Sequence, residues 1–325
     1  MFFYSPVSRR LYTGRALLAL YKAFRCLSTR SLLLLSAGER HHIALGVFYA
    51  LATSVVGSSA AAVVKYLGSE LSGWLIVWIQ YALCTLIMLP WLVRRGPRVL
   101  QTQHPWQHLV RALGGWLGFT CYYLALPIIP LVDASLLRAA APLWVPLVVW
   151  IAFRQQVPAL RWVALMTGFA GVVLILRPDT GTVQFGHLLG LAAGLALAIS
   201  MSYTRSLSRS EPAARVLFYY FFIALLASTP MAVVHWQPIP AALWPGLLFI
   251  GGSIYLTMVL YTRAYSLAPT SLVAPLGYIA VPLAALFDWL VWDQLPRGTV
   301  LAGSALVIAS GVLAVTLGAR QRSEH

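Results

Sequence analysis

Charge is what this sequence has least of. Only 10% of its 325 residues are Asp, Glu, Lys or Arg, and just eight are acidic. An ordinary soluble domain carries about a quarter. A soluble enzyme and a disordered chain are both excluded by that shortage. Cysteine is scarce too: Cys26, Cys84 and Cys121 stand far apart, with no CxxC pair and no neighbouring His. They read as small core hydrophobes, which excludes a disulfide scaffold and a thiolate metal centre. Catalytic and nucleotide signatures are absent as well. Gly114-Gly115 belongs to no GxxxxGK[ST] loop, and no GxSxG, HExxH or paired carboxylate lies in an apolar run. His41-His42 and His104/His108 sit in loops or at a helix start, without a Cys or carboxylate to complete a ligand set. No enzyme activity, no metal and no cofactor is expected.

What the chain does have is apolar length. Apolar residues make up 60%, with 12 Trp and 15 Tyr, the rings that sit at membrane–water interfaces. A spanning helix needs about 20 apolar residues to cross a hydrocarbon core of about 30 Å. Such stretches fall at 43–64, 71–93, 107–127, 131–153, 159–176, 187–204, 215–234, 243–264, 270–292 and 298–318. The predicted fold is therefore an all-α integral membrane protein of ten transmembrane helices. Short breaker-rich links separate them, such as Arg95-Gly96-Pro97 and Pro238-Ile239-Pro240.

The net charge of +15 is topological. With both termini in the cytoplasm, 19 of 23 basic residues, Arg111 among them, fall on the inner side. Lys65, Arg138, Arg177 and Arg297 fall on the outer side or at outer helix ends, so the positive-inside rule holds. No nucleic-acid partner is expected, because no basic face carries a readable motif. Residues 1–42 form a basic cytoplasmic segment. Leu11 to Cys26, with Arg15, Lys22 and Arg25, reads either as an amphipathic helix on the inner leaflet or as an unstructured tail. Residues 319–325 form the opposite tail.

The chain repeats itself. Ala125, Pro130, Asp133-Ala-Ser, Pro142, Gln155-Gln-Val-Pro158 and Gly171 recur as Ala264, Pro269, Thr270-Ser271, Pro282, Asp293-Gln-Leu-Pro296 and Gly311. The Ala pair is 139 residues apart and the Gly pair 140. The units are 43–177 and 187–318, five helices each. Five is odd, so the second unit enters the membrane from the opposite side, giving a 5+5 inverted repeat. In such designs the substrate site lies between the copies, near the midplane.

The pattern Tyr123-Leu-Ala-Leu, Asp133-Ala-Ser, Pro142-Leu-Trp-Val and Gly171-Val-Val-Leu-Ile-Leu-Arg-Pro178 closely resembles the EamA family of the drug/metabolite transporter superfamily. Leu272-Val-Ala-Pro-Leu-Gly-Tyr278 and Trp289-Leu-Val-Trp-Asp-Gln-Leu-Pro296 repeat the likeness over about 43–318. The resemblance implies ten helices, a bacterial inner-membrane location and transport of small metabolites, often export, with helices 3, 4, 8 and 9 lining the path. Two positions depart from it. Gln80 stands where the family usually has an Arg, and Gln155 where it usually has a Glu; a lost ion pair replaced by two amides would explain both. The second half keeps the acid as Asp293.

A buried charge costs at least about 2.5–3.5 kcal/mol at the bilayer centre, so ionisable groups within spans are the first site candidates. Arg138 is the expected substrate anchor, pairing with a carboxylate or phosphate; snorkelling or a pair with Asp133 is the alternative. Gln80, Tyr123, Trp144, Tyr203, Tyr255 and Tyr278 are the expected walls of a cavity for a small amphipathic solute such as an amino acid, although interhelical hydrogen bonding would also place them in spans. Asp288 is the candidate for proton coupling, or else an interfacial carboxylate. Asp133 reads first as a helix N-cap. Pro142, Pro282 and Arg263 are the candidate gate residues, since proline bends a helix, although kinks also occur without gating and snorkelling with stacking beside Tyr261 and Tyr265 also explains Arg263. Besides the substrate and the bilayer, a second copy of the chain is a conceivable partner. The rival functions are a flippase for lipid or lipid-linked sugar and, least supported, a membrane-embedded enzyme.

Overall fold

A computed structural model describes residues 37–154, 166–173, 184–208, 210–267, 273, 276–294, 298 and 300–310, with side chains from residue 42 onward. Among the described residues there is no strand. The chain forms α1 (Ala37–Leu67), α2 (Gly73–Arg95), α3 (Pro105–Ala125), α4 (Leu131–Ala139), α5 (Ala141–Phe153), α6 (Phe185–Leu207), α7 (Ala213–Val234), α8 (Trp244–Leu267) and α9 (Ala280–Trp292). Short helical stretches also cover 166–173 and 300–310. Helix thus occurs within each expected span. Six of the helical stretches are long and apolar enough to cross a membrane: His42–Leu67, Gly73–Arg95, Leu131–Ala152, Phe185–Leu207, Ala213–Val234 and Ala241–Ala264. The sequence reading started the first helix at 43, and the structure carries it back to Ala37. The N-terminal segment ahead of it, Gln155 and the tail 319–325 lie outside the described residues.

Proline sets several helix starts. Pro105 opens α3, where its missing N–H costs nothing. Pro130 is the N-cap of α4 and Pro212 that of α7. The expected cap at Asp133 is therefore corrected: Asp133 lies in the first turn, where its charge suits the positive end of the helix dipole.

Helices also break where the repeat puts proline. The fourth span is interrupted at Ala140, and Pro142 sits in the first turn of α5. The ninth passes through a 3₁₀ turn, Gly277–Ile279, before α9 begins at Ala280 with Pro282 in its first turn. Side chains on α1 reach this second break, as Ser54 and Ser58 donate to the carbonyls of Leu276 and Ala280, each at 3.3 Å.

Packing follows a regular exchange. α3 lies against α6, and α8 lies against α1. α3 also meets α7, as α8 meets α2. α4 and α5 cover α6, as α9 covers α1. Two contacts map onto themselves, α2 with α7 and α4 with α9. The α3–α6 seam is nearly backbone to backbone: a Cβ on Gly114 would lie 3.1 Å from the Ala196 carbonyl. Membrane helices use such small residues because lipid offers them no competing hydrophobic drive. The core fills the space between α2, α3, α4, α7 and α8, with Tyr81, Tyr123, Leu137 and Phe221 fully buried.

Candidate functional site

The site is built on one stripe of α3. Arg111, Gly115, Phe119 and Tyr122 recur at helical spacing, so they share a face. That face looks at α2, α4 and α7. The Arg111 guanidinium lies 3.8 Å from the centre of the Tyr220 ring on α7. Tyr220 meets Tyr81 of α2 edge-on at 5.6 Å. Tyr81 meets Phe119 edge-on at 6.5 Å. Phe119 and Tyr122 hold the Arg138 guanidinium of α4 at 4.7 and 4.9 Å. A column of aromatic rings therefore runs between two guanidinium groups. Stacking of this kind stabilises a desolvated cation by about 2 kcal/mol.

The Tyr81 and Tyr220 hydroxyls are 3.0 Å apart at the α2–α7 contact, and the two residues are 139 positions apart in sequence. They are one repeat length apart and touch each other. Beside them, Tyr123 donates a short hydrogen bond to Gln80 Oε1. Gln80 is fully buried, and its Nε2 has no partner among the described residues.

Arg138 is half-buried. It makes no ion pair among the described residues, and its Nε is unpartnered. The alternative pair with Asp133 does not form: Asp133 Oδ2 is 3.8 Å from His187 Nε2 instead. His187 Nδ1 accepts from the Gln184 backbone N–H at 3.2 Å, which puts the ring proton on Nε2, facing the carboxylate.

The two ends of the bundle carry different fastenings. At one end Lys65 of α1 pairs with Asp288 of α9 at 2.7 Å. The other Asp288 oxygen accepts the Val132 N–H of α4 at 2.7 Å, a donor that no helical carbonyl can satisfy. Lys65 also lies 4.5 Å from the centre of the Trp292 ring. At the opposite end Glu211, in the turn between α6 and α7, accepts from Thr102 at 2.6 Å and from Arg215 at 2.5 Å. Arg215 Nε adds a bond to the Val99 carbonyl at 2.5 Å. Although burial pushes the Glu211 carboxyl up, the Thr102 and Arg215 donors hold it below its ordinary value of 4.5.

The remaining expected site residues are spread out. Tyr255 packs on the central core. Tyr278 is buried in the 3₁₀ turn before α9, and its hydroxyl has no partner among the described residues. Trp144 stands apart, edge-on to Phe169 at 4.5 Å, in a smaller cluster of α5 and α6. Tyr203 is near the end of α6, and Arg263 is exposed on α8. Two sequence expectations are revised. Arg111 was counted among inner-side charges, but it is 5% exposed inside α3. Asp293 was matched to Gln155. The two left-handed non-glycine residues of the chain as described are Arg154 (φ 50) and Asp293 (φ 53), which cap α5 and α9 alike. In that register Gln155 matches Gln294, and the second half holds no acid there either. Sequence reasoning missed Lys65, Phe119, Tyr81 and Tyr220 as site residues; the α3 stripe ending on Arg111 was the available signal.

Comparison with known proteins agrees with this architecture. A crystal structure 19% identical in sequence superposes with a TM-score of 0.57 over 86% of this chain and 98% of the other, which establishes the fold. An S-adenosylmethionine uptake transporter of Rickettsia bellii (strain RML369-C) is 26% identical, over 78% of this chain and 88% of its own. A riboflavin transporter of Vibrio cholerae is 27% identical, over 83% and 93%. The pseudopaline exporter CntI of Pseudomonas aeruginosa is 29% identical, over 82% and 94%. The EamA-like transporter family matches twice in tandem, at residues 44–177 and 184–316. The chain is a multi-pass membrane protein and belongs to the EamA-like transporter family.

Proposed function

We propose that the protein is a secondary transporter of the bacterial inner membrane that exports a small amphipathic metabolite bearing an anionic group, such as an amino acid, by alternating access. The observation that carries the reading is the Arg138 guanidinium, held between Phe119 and Tyr122 with no carboxylate of its own among the described residues. A cation kept in apolar surroundings without a counter-ion is suited to a substrate that brings one. Gln80 and Tyr123 form the polar floor beside it, and Tyr255 and Tyr278 the walls; Trp144 and Tyr203 contribute farther along the path.

The ten-helix inverted topology, with both termini cytoplasmic, rests on the packing exchange. Swapping each helix of one repeat for its counterpart in the other turns α3–α6 into α8–α1 and leaves α2–α7 and α4–α9 unchanged. A two-fold relation in the membrane plane produces that pattern. The breaks near Pro142 and Pro282 supply the hinges, and Arg263 the cytoplasmic rim. Lys65, Asp288 and Val132 fasten the outer ends. Protonation of Asp288 would remove the charge that holds Lys65, which is how a proton gradient would drive the cycle. Relatives acting on S-adenosylmethionine, riboflavin and pseudopaline support a small-molecule cargo.

The test uses purified protein in sealed proteoliposomes loaded with a cell-metabolite extract. Solutes leaving after dilution are identified by mass spectrometry, with and without a pH gradient. Release of a small set of anions or zwitterions by the wild type and not by Arg138→Ala is expected. Equal release by both refutes the Arg138 anchor. Release of nothing water-soluble from folded protein refutes the metabolite transporter.

A further inference from the structure

Arg138 of α4 is not the only cation held against the α3 stripe. We infer that Arg111 and His108 form a second binding station, for the carboxylate of a flat aromatic acid, so that the path holds two successive anion sites on either side of the Tyr81–Tyr220 pair. The inference rests on the transporter reading and adds to it the substrate class and the number of stations.

His108 and Arg111 are three residues apart, one above the other on α3. They are 1% and 5% exposed. Arg111 Nε and Nη1 have no partner among the described residues, and neither ring nitrogen of His108 has one. The nearest acid able to serve them is already used. Both Glu211 oxygens are engaged, one by Thr102 and the other by Arg215. Every free group here belongs to a side chain with a hydrogen to give: the guanidinium donates only, and the imidazole donates from one nitrogen. Beyond its contact with Tyr220, Arg111 keeps two buried donors without a partner among the described residues, and an anion matches them. The guanidinium fork takes a carboxylate with two parallel bonds.

Flat chemistry is set by the neighbours. The His108 ring lies 4.5 Å from Tyr219 at 35°, and Arg111 lies against the Tyr220 face. The α3 backbone that carries Arg111 also carries Phe119 and Tyr122, which hold Arg138. The separation along the helix is about 12–16 Å. One carboxylate cannot touch both guanidinium groups across that rise. The hydroxyl pair of Tyr81 and Tyr220 lies between them. A solute released from one guanidinium therefore crosses the aromatic column before the next takes its carboxylate.

The probe is indole-3-acetate, with tryptophol as the neutral counterpart, measured by equilibrium dialysis on the full chain in lipid nanodiscs. Wild type should bind two molecules of indole-3-acetate per chain and none of tryptophol. Arg111→Gln and Arg138→Gln should each lose one site, and Arg111→Lys should retain two. Where Arg111→Gln does not fold, arginine labelling of the wild type by 4-hydroxyphenylglyoxal decides. Indole-3-acetate should protect Arg111 and tryptophol should not. Two sites remaining in Arg111→Gln, fewer than two in the wild type, or unprotected Arg111 overturns the inference. Metabolite release from wild-type vesicles, measured separately, tests the transporter reading. Release together with an unchanged Arg111→Gln stoichiometry removes the second station alone, and two binding sites without release remove the transport reading alone.

Discussion

A double-mutant cycle on Lys65 and Asp288 tests the fastening between α1, α4 and α9. The side chains are 8% and 0% exposed, so both charges are out of water. Lys65→Met leaves Asp288 with the Val132 N–H as its remaining donor. Asp288→Asn keeps that bond through its amide oxygen but turns an NH₂ toward the Lys65 ammonium, donor against donor. Each single variant strands one buried charge, at a cost of about 3–5 kcal/mol. In the double variant no charge is left, and the Asn oxygen still accepts from Val132. Its cost should be about 1–2 kcal/mol, within the range of an ordinary substitution. The coupling energy is then about 4 kcal/mol or more, well above the few tenths seen between independent sites. The assay is unfolding in mixed detergent micelles, followed by intrinsic fluorescence. A double variant that costs the sum of the two singles refutes the pairing, and with it the fastening of the outer ends.

Arg138→Gln should weaken affinity for an anionic substrate about ten- to hundredfold, the worth of one charged hydrogen bond, while Arg138→Lys recovers only part because it cannot make two parallel bonds; concentration-dependent counterflow in proteoliposomes reads both. Glu211 titrates below its ordinary value in the fold. The stability it contributes is present above that ordinary value and is lost as pH falls through the folded one. A melting-temperature profile below pH 4.5 should fall for the wild type more than for Glu211→Gln. Gly171→Val should lower stability by about 1–3 kcal/mol through overpacking, since a Cβ there already lies 2.8 Å from the Gly303 carbonyl; thermal unfolding of that variant checks it.

Apolar runs of sequence are a direct record of where helices lie, and six of the expected spans match the long apolar helices among the described residues to within a few residues. Shared residues such as Pro142 and Pro282 likewise exposed the repeat. Faces were harder to read. When both sides of a helix are apolar, periodicity carries no phase, so Trp144 and Tyr123 looked equivalent, although one packs on Phe169 and the other bonds Gln80. Charge was misread for a related reason. Arg111 is only a few residues from the inner end of its helix, close enough for a topological charge, and a contact from another helix, the Tyr220 ring, keeps it inside. Lys65 gave no local hint of Asp288, which is 223 residues away.

The two repeats share a scaffold but not its chemistry, and this asymmetry predicts which end a single substitution frees. In the register of the matched caps Arg154 and Asp293, Asp288 corresponds to Val149, so the acid of this pair exists in one repeat alone. Val149 is half-buried and has no charge to withdraw when the helices part. At the other end, parting α9 from α1 and α4 means withdrawing Asp288 from Lys65 and from the Val132 N–H, and Lys65 from the Trp292 ring. Asp288→Asn removes the Coulomb attraction and keeps the Val132 bond, so it should ease the parting of these helices. The Glu211 bonds only join the turn before α7 to the loop before α3 and do not reach α9. In proteoliposomes, transport should be faster in Asp288→Asn than in the wild type and unchanged in Glu211→Gln. Equal rates in the wild type and Asp288→Asn would show that the Lys65–Asp288 pair does not hold this end closed.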